Sequence, residues 1–353
     1  MKQNNPKKSE KTTPTKPRKV NKLKRIEKCT KWIEKCANDY WSYLERGSMK
    51  YQLGDLDGAL ADFDAGLEIM PDDVFGLNSR GIVKSDLGDQ LGAIDDYDNV
   101  ILIDPNCKEA YSNRAIANED SGNVQEAIID FDKAIEIDPF FINAWLGRAM
   151  AKSILGNAAG AIEDFNEVIF LDPNNAMARY HRGMDKFNSD DNSGAIEDYE
   201  WALEIDPTLT EIYYNMALAK CAVYDYPGAI EDYTKAIKMT PEFALAYLNR
   251  GLAWSRVYDY QRALADVLKS IEIDPELVEA YTDAGILKHE LGDTQGAMAS
   301  FNRAIAINPK SPRAYLLRGM FKVIAGYEDD GRRDLLKAGE MGLREAYEFL
   351  DEM

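Results

Sequence analysis

The stretch EAIIDFDKAIEIDP, residues 126–139, decides the fold of this chain because variants of it recur throughout the sequence. In a helix, Ala127, Phe131 and Ile135 would lie on one apolar stripe. The Asp–Pro pair ends that helix, because a residue before proline is displaced from the α region. Eight related stretches end at prolines spaced 34 residues apart: Pro71, Pro105, Pro139, Pro173, Pro207, Pro241, Pro275 and Pro309. A strict period of this length indicates stacked structural repeats.

The composition excludes several classes of protein. The chain has 353 residues and a net charge of −19, and none of its apolar runs approaches the ~20 residues that cross a bilayer. The N-terminus is charged and lacks the apolar core of a secretory signal. The four cysteines form no CxxC pair and are too scattered for a disulfide framework or a thiolate metal site. The expected compartment is the cytoplasm, or the nucleus in a eukaryote.

The charge is unevenly distributed along the chain. Residues 1–28 contain 11 Lys and Arg against 2 acids, so they carry a net +9 and the remainder carries −28. Such asymmetry bears on association rather than on the fold. Residues 1–19 contain almost no apolar side chains and are predicted to be a disordered basic tail. Residues 20–39 predict a basic amphipathic helix, which could bind a membrane surface or a partner. The alternative, which we favour, is a cap that covers the first repeat.

The repeats run from residue 40 to residue 341, as eight clear units and a degenerate ninth. Each unit contains two helical patterns separated by a turn, and residues 342–353 predict a C-terminal capping helix. The turn position is glycine in six units: Gly54, Gly88, Gly122, Gly156, Gly292 and Gly326. Asp190, Tyr224 and Tyr258 take this position in the other three units, so these turns are expected to differ in shape.

Several positions of the 34-residue unit resemble the tetratricopeptide repeat family over residues 40–341. The unit has a small residue at place eight, alanine at place twenty, an aromatic position at place twenty-four and proline at place thirty-two. The resemblance implies an all-α, right-handed solenoid of helix–turn–helix repeats. It also implies a scaffold or adaptor without catalytic activity, whose first helices line a concave surface that holds peptides.

Arginine at place seven and aspartate at place twenty-three form two charged columns. Both charges are absent from the eighth unit, which favours structural ion pairs between the two helices of one unit. The alternative is an arginine ladder for acidic ligands. The expected pairs are Arg46–Asp62, Arg80–Asp96, Arg114–Asp130, Arg148–Asp164, Arg182–Asp198, Arg250–Asp266 and Arg318–Asp334. Met216 replaces the arginine of the sixth unit, so Asp232 is predicted to lack its partner. Lysines at place eleven are interpreted as a solvated stripe or as a site for an acidic partner.

The first helices of the central units predict an apolar groove for an amphipathic helix or an apolar peptide. Its predicted residues are Asn113, Leu146, Met150, Tyr180, Met184, Tyr214, Asn215, Leu218, Leu248, Asn249 and Leu252. The alternative is that these side chains pack between repeats and never contact a ligand. The Lys and Asn positions with which some family members hold a chaperone's carboxylate terminus are absent, so that activity is not expected.

Motifs for catalysis are absent from the sequence. His181 and His289 lie in different units, and there is no phosphate-binding loop. No catalytic residue, cofactor, metal or small-molecule substrate is therefore expected. The predicted function is a protein-interaction scaffold or adaptor, for example in complex assembly, with an unidentified protein or peptide partner. The alternative function is a tether, in which the basic arm binds nucleic acid or an anionic membrane. The acidic array itself is a third target for this arm.

Overall fold

The computed structural model describes residues 15–353, with side chains from residue 20 onward, and helices are the only regular elements in this range. Consecutive helices pack as antiparallel pairs, which confirms the predicted all-α repeat fold. The described part of the chain divides into two compact units, one that ends at Pro173 and one that covers residues 174–353. Across the described range, every helix is too short or too polar to cross a membrane.

The first unit contains one leading helix and four helical pairs. Most of the predicted tail, residues 1–14, lies outside the described residues. The leading helix begins at Thr15, five residues before the predicted boundary at residue 20. The helices are α1 (Thr15–Lys35), α2 (Tyr40–Tyr51), α3 (Leu56–Ile69), α4 (Val74–Asp86), α5 (Gln90–Ile103), α6 (Lys108–Asp120), α7 (Val124–Ile137), α8 (Ile142–Ile154) and α9 (Ala158–Leu171).

The second unit contains five helical pairs and a short final helix, which packs its Tyr347 ring against Gly339. Its elements are α10 (Ala176–Asn188), α11 (Asn192–Ile205), α12 (Glu211–Ala222), α13 (Tyr226–Met239), α14 (Ala244–Arg256), α15 (Tyr260–Ile273), α16 (Val278–Glu290), α17 (Thr294–Ile307), α18 (Pro312–Ile324), α19 (Glu328–Glu340) and α20 (Arg344–Asp351). The degenerate ninth repeat therefore keeps both of its helices.

The turn between the two helices of a repeat has one conformation, whichever residue occupies it. Gly122 has a φ of 82°, in the left-handed region that glycine enters without strain. Asp190, Tyr224 and Tyr258 have φ values of 64°, 64° and 62°. The expectation that these three turns differ in shape is wrong. The helical pair imposes the turn, and the residue adapts to it.

The second helix of most repeats begins at an acidic or amide cap. Asp55 accepts a hydrogen bond from the Gly58 N–H at 3.0 Å, which satisfies one of the free donors at the start of α3. A Cβ at Gly58 would lie 2.3 Å from this carboxylate, which explains the glycine before the alanine at place twenty. The same cap recurs at Asp89, Asn157, Asp191, Asp225, Asp259 and Asp293.

Small residues let neighbouring helices approach closely around the place-twenty-four side chain, which is aromatic in every repeat except the seventh (Val267) and the ninth (Leu335). Phe131 on α7 is fully buried with Ala127 and Ala144. It packs against Gly147 of the next repeat, where a Cβ would lie only 2.3 Å from the ring. Burying a side chain of this size stabilises the fold by about 1.5–3 kcal/mol. The contact joins two repeats, so a single repeat could not bury its own ring.

Helix α1 stands where a preceding repeat would place its second helix. Cys29 is buried against α2, and Arg25 Nε donates to Glu45 at 2.5 Å. Arg46 of the first repeat donates to Thr30 of α1 at 3.1 Å. Arg80 of the second repeat makes the equivalent contact to Asp64 on the second helix of the first repeat, and both pairs are 16 residues apart in the sequence. These contacts cover the open face of the first repeat.

Each of seven repeats buries an aspartate that an arginine of the same repeat contacts with two nitrogens. Asp164 is 2% exposed and accepts from Arg148 Nε at 2.9 Å and Nη2 at 2.7 Å. Lys152 Nζ lies 2.7 Å from the same carboxylate. The third guanidinium nitrogen of Arg148 contacts Asp132 in the preceding repeat, and its face lies over the Trp145 ring. The arginine therefore joins two helices of its own repeat to the preceding one.

The same bidentate geometry occurs at Arg46–Asp62, Arg80–Asp96, Arg114–Asp130, Arg148–Asp164, Arg182–Asp198, Arg250–Asp266 and Arg318–Asp334. A separate set of contacts links the arginine to the preceding repeat's second helix, which the sequence interpretation did not include. Arg80, Arg114 and Arg148 make this second contact to carboxylates.

Two interpretations of the charged columns are wrong. The place-eleven lysines are neither a solvated stripe nor a free cationic row, because most of them contact the buried aspartate: Lys50, Lys84, Lys152, Lys186, Lys220 and Lys322. Asp232 does not lack a cation. Lys220 and Lys235 lie 2.5 and 2.9 Å from its carboxylate and take the place of the missing arginine. The buried carboxylate requires a cation, and a neighbouring position supplies one.

A double-mutant cycle on Arg148 and Asp164 tests this arrangement. We expect Asp164→Ala to cost about 2–4 kcal/mol, because it leaves two partly buried cations without a counter-charge. Arg148→Ala should cost less, since Lys152 still pairs with the carboxylate. The coupling energy should be about 1–3 kcal/mol in urea unfolding followed by far-UV circular dichroism. Additive single and double variants would contradict the pairing.

Candidate functional site

A cleft of about 520 Å³ lies along the first helices α4, α6 and α8 of the first unit. We call it the unit-one cleft. Its lining comes mainly from places two, five, six and nine of the repeats. The residues on its walls and floor include Asn78, Ile82, Glu109, Ser112, Asn113, Ile116, Glu119, Asp120, Phe141, Asn143, Leu146 and Met150.

The floor of the unit-one cleft is apolar and open to solvent. Ile116 is 48% exposed and Met150 is 36% exposed, while Leu146 is half-buried between them and the core. Exposed apolar side chains that share a concave surface are typical of binding sites for partner side chains. The side chains of Ile116 and Met150 are therefore accessible to a ligand, as a binding groove would need.

Place-six asparagines connect successive first helices. Asn113 donates to the Asn78 side chain at 3.0 Å, across two repeats of the first unit. In the second unit, Asn215 donates to the Tyr180 hydroxyl and Asn249 to the Tyr214 hydroxyl, both at 2.9 Å. Each asparagine therefore links its repeat to the preceding one by a hydrogen bond, and the rest of its amide group can bond a ligand.

Two further clefts lie side by side in the second unit, and we call them the tyrosine clefts. One, of about 350 Å³, lies between Leu218, the turn at Tyr224 and Leu252. The other, of about 440 Å³, lies between Leu252, the turn at Tyr258 and Ile286. Arg256 at the end of α14 lines both clefts. The surface therefore repeats with the period of the chain.

Each tyrosine cleft has an exposed tyrosine at its mouth, beside a second tyrosine that is half-buried. Tyr224 is 78% exposed and Tyr258 is 80% exposed, although both occupy left-handed turns that cost an ordinary residue about 1–2 kcal/mol. Each ring meets a second tyrosine, Tyr226 or Tyr260, edge-on at 6.3 Å. Backbone strain that is retained at an exposed aromatic residue is a feature of ligand-binding sites.

The structure separates the predicted groove residues into three groups. One group lines the clefts: Asn113, Leu146 and Met150 in the first unit, and Leu218, Asn249 and Leu252 in the second. A second group is half-buried outside these clefts: Met184, Tyr214 and Asn215. Tyr180 and Leu248 are 8% and 5% exposed, so these two belong to the core. Their expected place on a binding surface is wrong.

Several cleft residues were missed by the sequence interpretation. Val–Tyr–Asp–Tyr occurs at residues 223–226 and again at residues 257–260, and this repetition was the available signal for the tyrosine clefts. The acidic side chains of the unit-one cleft gave no signal, because the whole array is rich in acids. Contacts in space, rather than spacing along the chain, distinguish them.

Asp283 is a buried carboxylate on the wall of the larger tyrosine cleft. It is 5% exposed, and Arg313 Nη2 is 3.2 Å from its carboxylate. Burial raises the pKa of Asp283 to about 6, with Arg313 opposing the rise and Glu279 adding to it. No group of three or more His, Cys, Asp or Glu side chains in the described residues has the geometry of a metal site.

Family models match three stretches of the chain. Two models described as "Tetratricopeptide repeat" match residues 250–322 and 108–141, and one described as "TPR repeat" matches residues 225–256. No curated protein matches the chain.

Solved structures of repeat proteins have a similar fold. One is the C-terminal part of a TPR repeat-containing protein from Cytophaga hutchinsonii, with a TM-score of 0.57, 17% identity, and coverage of 66% of this chain and 96% of that chain. Another is a tetratricopeptide repeat protein from Parabacteroides merdae, with a TM-score of 0.51, 19% identity, and coverage of 70% and 98%. A third is the APC/C hetero-tetramer Cut9–Hcn1, with a TM-score of 0.52, 17% identity, and coverage of 85% of this chain and 59% of that chain. At these identities the likeness shows the fold alone.

Asp283 predicts a pH dependence of stability. Because its pKa is higher in the folded chain than the ~3.9 of an unfolded aspartate, the folded state binds more protons between about pH 4 and 6. Stability should therefore fall as the pH rises through this window. Relative to the parent, Asp283→Asn should gain about 1–3 kcal/mol in free energy of unfolding between pH 4 and pH 7.

The measurement is urea unfolding at several pH values, with the exposed Glu200→Gln as the control that removes one acid from the same unit. A constant difference between Asp283→Asn and the parent across the window would contradict the prediction.

Proposed function

The chain belongs to the tetratricopeptide repeat family, and from this premise we propose that it is a non-catalytic scaffold that binds protein partners along the first helices of its repeats. The observation that carries the proposal is the open apolar floor of the unit-one cleft, with Ile116 and Met150 exposed on adjacent first helices. A peptide or helix from a partner would cover this floor.

The energetics favour a partner at this surface. Full burial of an isoleucine or methionine side chain contributes about 1.5–3 kcal/mol, and about a third to a half of that remains available at these two positions. Binding energy in protein interfaces is concentrated in a few central, desolvated side chains. Met150 and Ile116 are therefore the proposed centre of the site in the first unit.

The tyrosine clefts are the proposed binding surface of the second unit. Tyrosine supplies a large apolar face together with a hydroxyl, a combination that is enriched where proteins bind one another. The neighbouring Arg256 adds a cation that could orient a partner. In this proposal the strain of the Tyr224 and Tyr258 turns is retained because the rings contact a partner.

The basic arm supports the second candidate function, a tether to nucleic acid or an anionic membrane. Val20 and Leu23 on α1 are 49% and 52% exposed, beside several lysines of the same helix. Exposed apolar side chains on a basic helix favour an interfacial contact. None of the described residues of α1 lines any of these three clefts, so the two functions can be tested separately. The cytoplasm stays the predicted compartment.

Met150→Glu and Leu218→Glu test the scaffold proposal. Each places a charge on a cleft wall, so we expect the protein partners recovered by the intact chain to be lost or weakened by tenfold or more. The readout is quantitative affinity capture, followed by titration of each identified partner.

The matched controls are Ile129→Glu in the first unit and Leu268→Glu in the second. Both introduce the same charge at exposed apolar positions on second helices, outside the clefts. Anionic ligands of the basic arm should be retained by all four variants. Equal recovery of every protein partner by all of them would refute the proposed surface.

Tyr224→Gly and Tyr258→Gly test the tyrosine clefts without disturbing the turns. Glycine adopts the left-handed conformation freely, so the free energy of unfolding should change by no more than about 1 kcal/mol. Partners of the second unit should bind at least tenfold more weakly, measured by titration. Asp190→Gly makes the same change at the third non-glycine turn and should leave binding unchanged. Full affinity in the double tyrosine variant would contradict the assignment.

A further inference from the structure

Every cation on the three first helices of the unit-one cleft is already held in an ion pair. Arg80 and Lys84 on α4 contact Asp96, and Lys108 on α6 contacts Asp138. Arg114 contacts Asp130 and Asp98, while Arg148 and Lys152 on α8 contact Asp164. None of these six side chains lines the cleft.

The ionisable side chains that do line the unit-one cleft are all acids: Glu109, Glu119 and Asp120. In the described part of the chain, none of the three forms an ion pair. Asp120 accepts only from the Gln90 amide at 3.3 Å, and Glu109 is 3.8 Å from the Cys107 sulfur. Three uncompensated carboxylates therefore surround an exposed apolar floor.

The acidity of this cleft is not a general consequence of the acidic chain. The larger tyrosine cleft contains Asp283 and Glu290 but also Arg256 and Arg313, so its charges balance. The smaller tyrosine cleft contains Arg256 and no acid. Only the unit-one cleft, among these three, combines an apolar floor with acids alone.

We propose that the unit-one cleft binds a basic protein segment, whose apolar side chains cover Ile116, Leu146 and Met150 while its lysines or arginines face the three acids. The inference rests on the proposed scaffold function and adds the chemical class of the partner. Apolar burial supplies the affinity, and the carboxylates select the charge of the partner.

The environment of Glu119 agrees with such a partner. Burial raises the pKa of this carboxyl, and the neighbouring Asp120 raises it further. A lysine or arginine brought beside it would oppose both effects, because a nearby cation favours the ionised carboxylate. An acidic or neutral segment would leave the two acids uncompensated and partly desolvated.

The experiment uses the full chain and three fluorescein-labelled 16-residue peptides. The first has lysine and leucine at helical spacing, the second has glutamate in place of lysine, and the third has serine in place of leucine. Fluorescence anisotropy should show saturable binding of the first peptide, with the other two at least tenfold weaker. Raising the salt concentration should weaken the first peptide's binding, since screening acts on exposed charges.

The variant Glu109→Gln/Glu119→Gln/Asp120→Asn removes the acids of the cleft. It should weaken the lysine–leucine peptide by about tenfold and reduce the salt dependence. The matched control, Asp57→Asn/Asp95→Asn/Glu126→Gln, removes the same charge from exposed positions on second helices and should change affinity by less than about threefold. Circular dichroism of both variants shows whether the fold is retained.

The outcomes separate this inference from the function on which it rests. Equal weakening by the two triple variants would show general attraction to an acidic chain and overturn the inference. Binding that ignores peptide charge but is lost in Met150→Glu would overturn it too, while leaving the scaffold proposal intact. Binding that appears only after removal of residues 1–14 would make the chain's own basic tail the occupant, against the proposal. Peptide binding that Met150→Glu leaves unchanged would place the peptide elsewhere and count against both.

Discussion

A carboxylate buried between two helices is the constraint on which eight of the nine repeats depend, and only the eighth repeat has a serine, Ser300, in its place. Asp164, 2% exposed, would destabilise the fold unless cations met it, and Arg148 and Lys152 on the facing helix do so. The arginine is planar and can bond one carboxylate with two nitrogens while the third reaches the preceding repeat. One side chain therefore sets the pairing of two helices and their register against the preceding pair. Where Met216 interrupts the pattern, Lys220 and Lys235 compensate.

This constraint also determines the charge of the concave surface. The arginines and lysines of α4, α6 and α8 form ion pairs with acids of the second helices or of the turn between repeats. Three acids of α6, Glu109, Glu119 and Asp120, have no such partner, so the unit-one cleft remains acidic. The fold and the proposed selectivity for a basic segment thus follow from one distribution of charge. In the second unit, Arg256 and Arg313 lie outside the structural pattern, so the larger tyrosine cleft has balanced charges and the smaller one contains a cation without an acid.

The periodicity in the sequence was enough to predict the helices, because eight prolines, the place-twenty alanines and the turn position all recur at one spacing. It was not enough to separate core from surface within a first helix. Tyr180 and Leu248 share place five with the half-buried Leu146, yet both are buried. Their exposure depends on the side chains of the neighbouring repeats, which vary. The lysine column was misassigned for a similar reason, since a lysine four residues after the arginine reaches the same aspartate only when the helices are packed.

The turns show how a repeat array separates stability from function. Nine equivalent turns take a left-handed conformation, and six of them use glycine, the residue that adopts it without strain. Asp190 is a tolerable substitute, because short polar side chains can hydrogen-bond locally in this region. The tyrosines at 224 and 258 gain nothing of this kind for the turn, and their rings are almost fully exposed. The backbone conformation alone would favour glycine at both positions, and this strain agrees with the proposal that the two rings contact a partner.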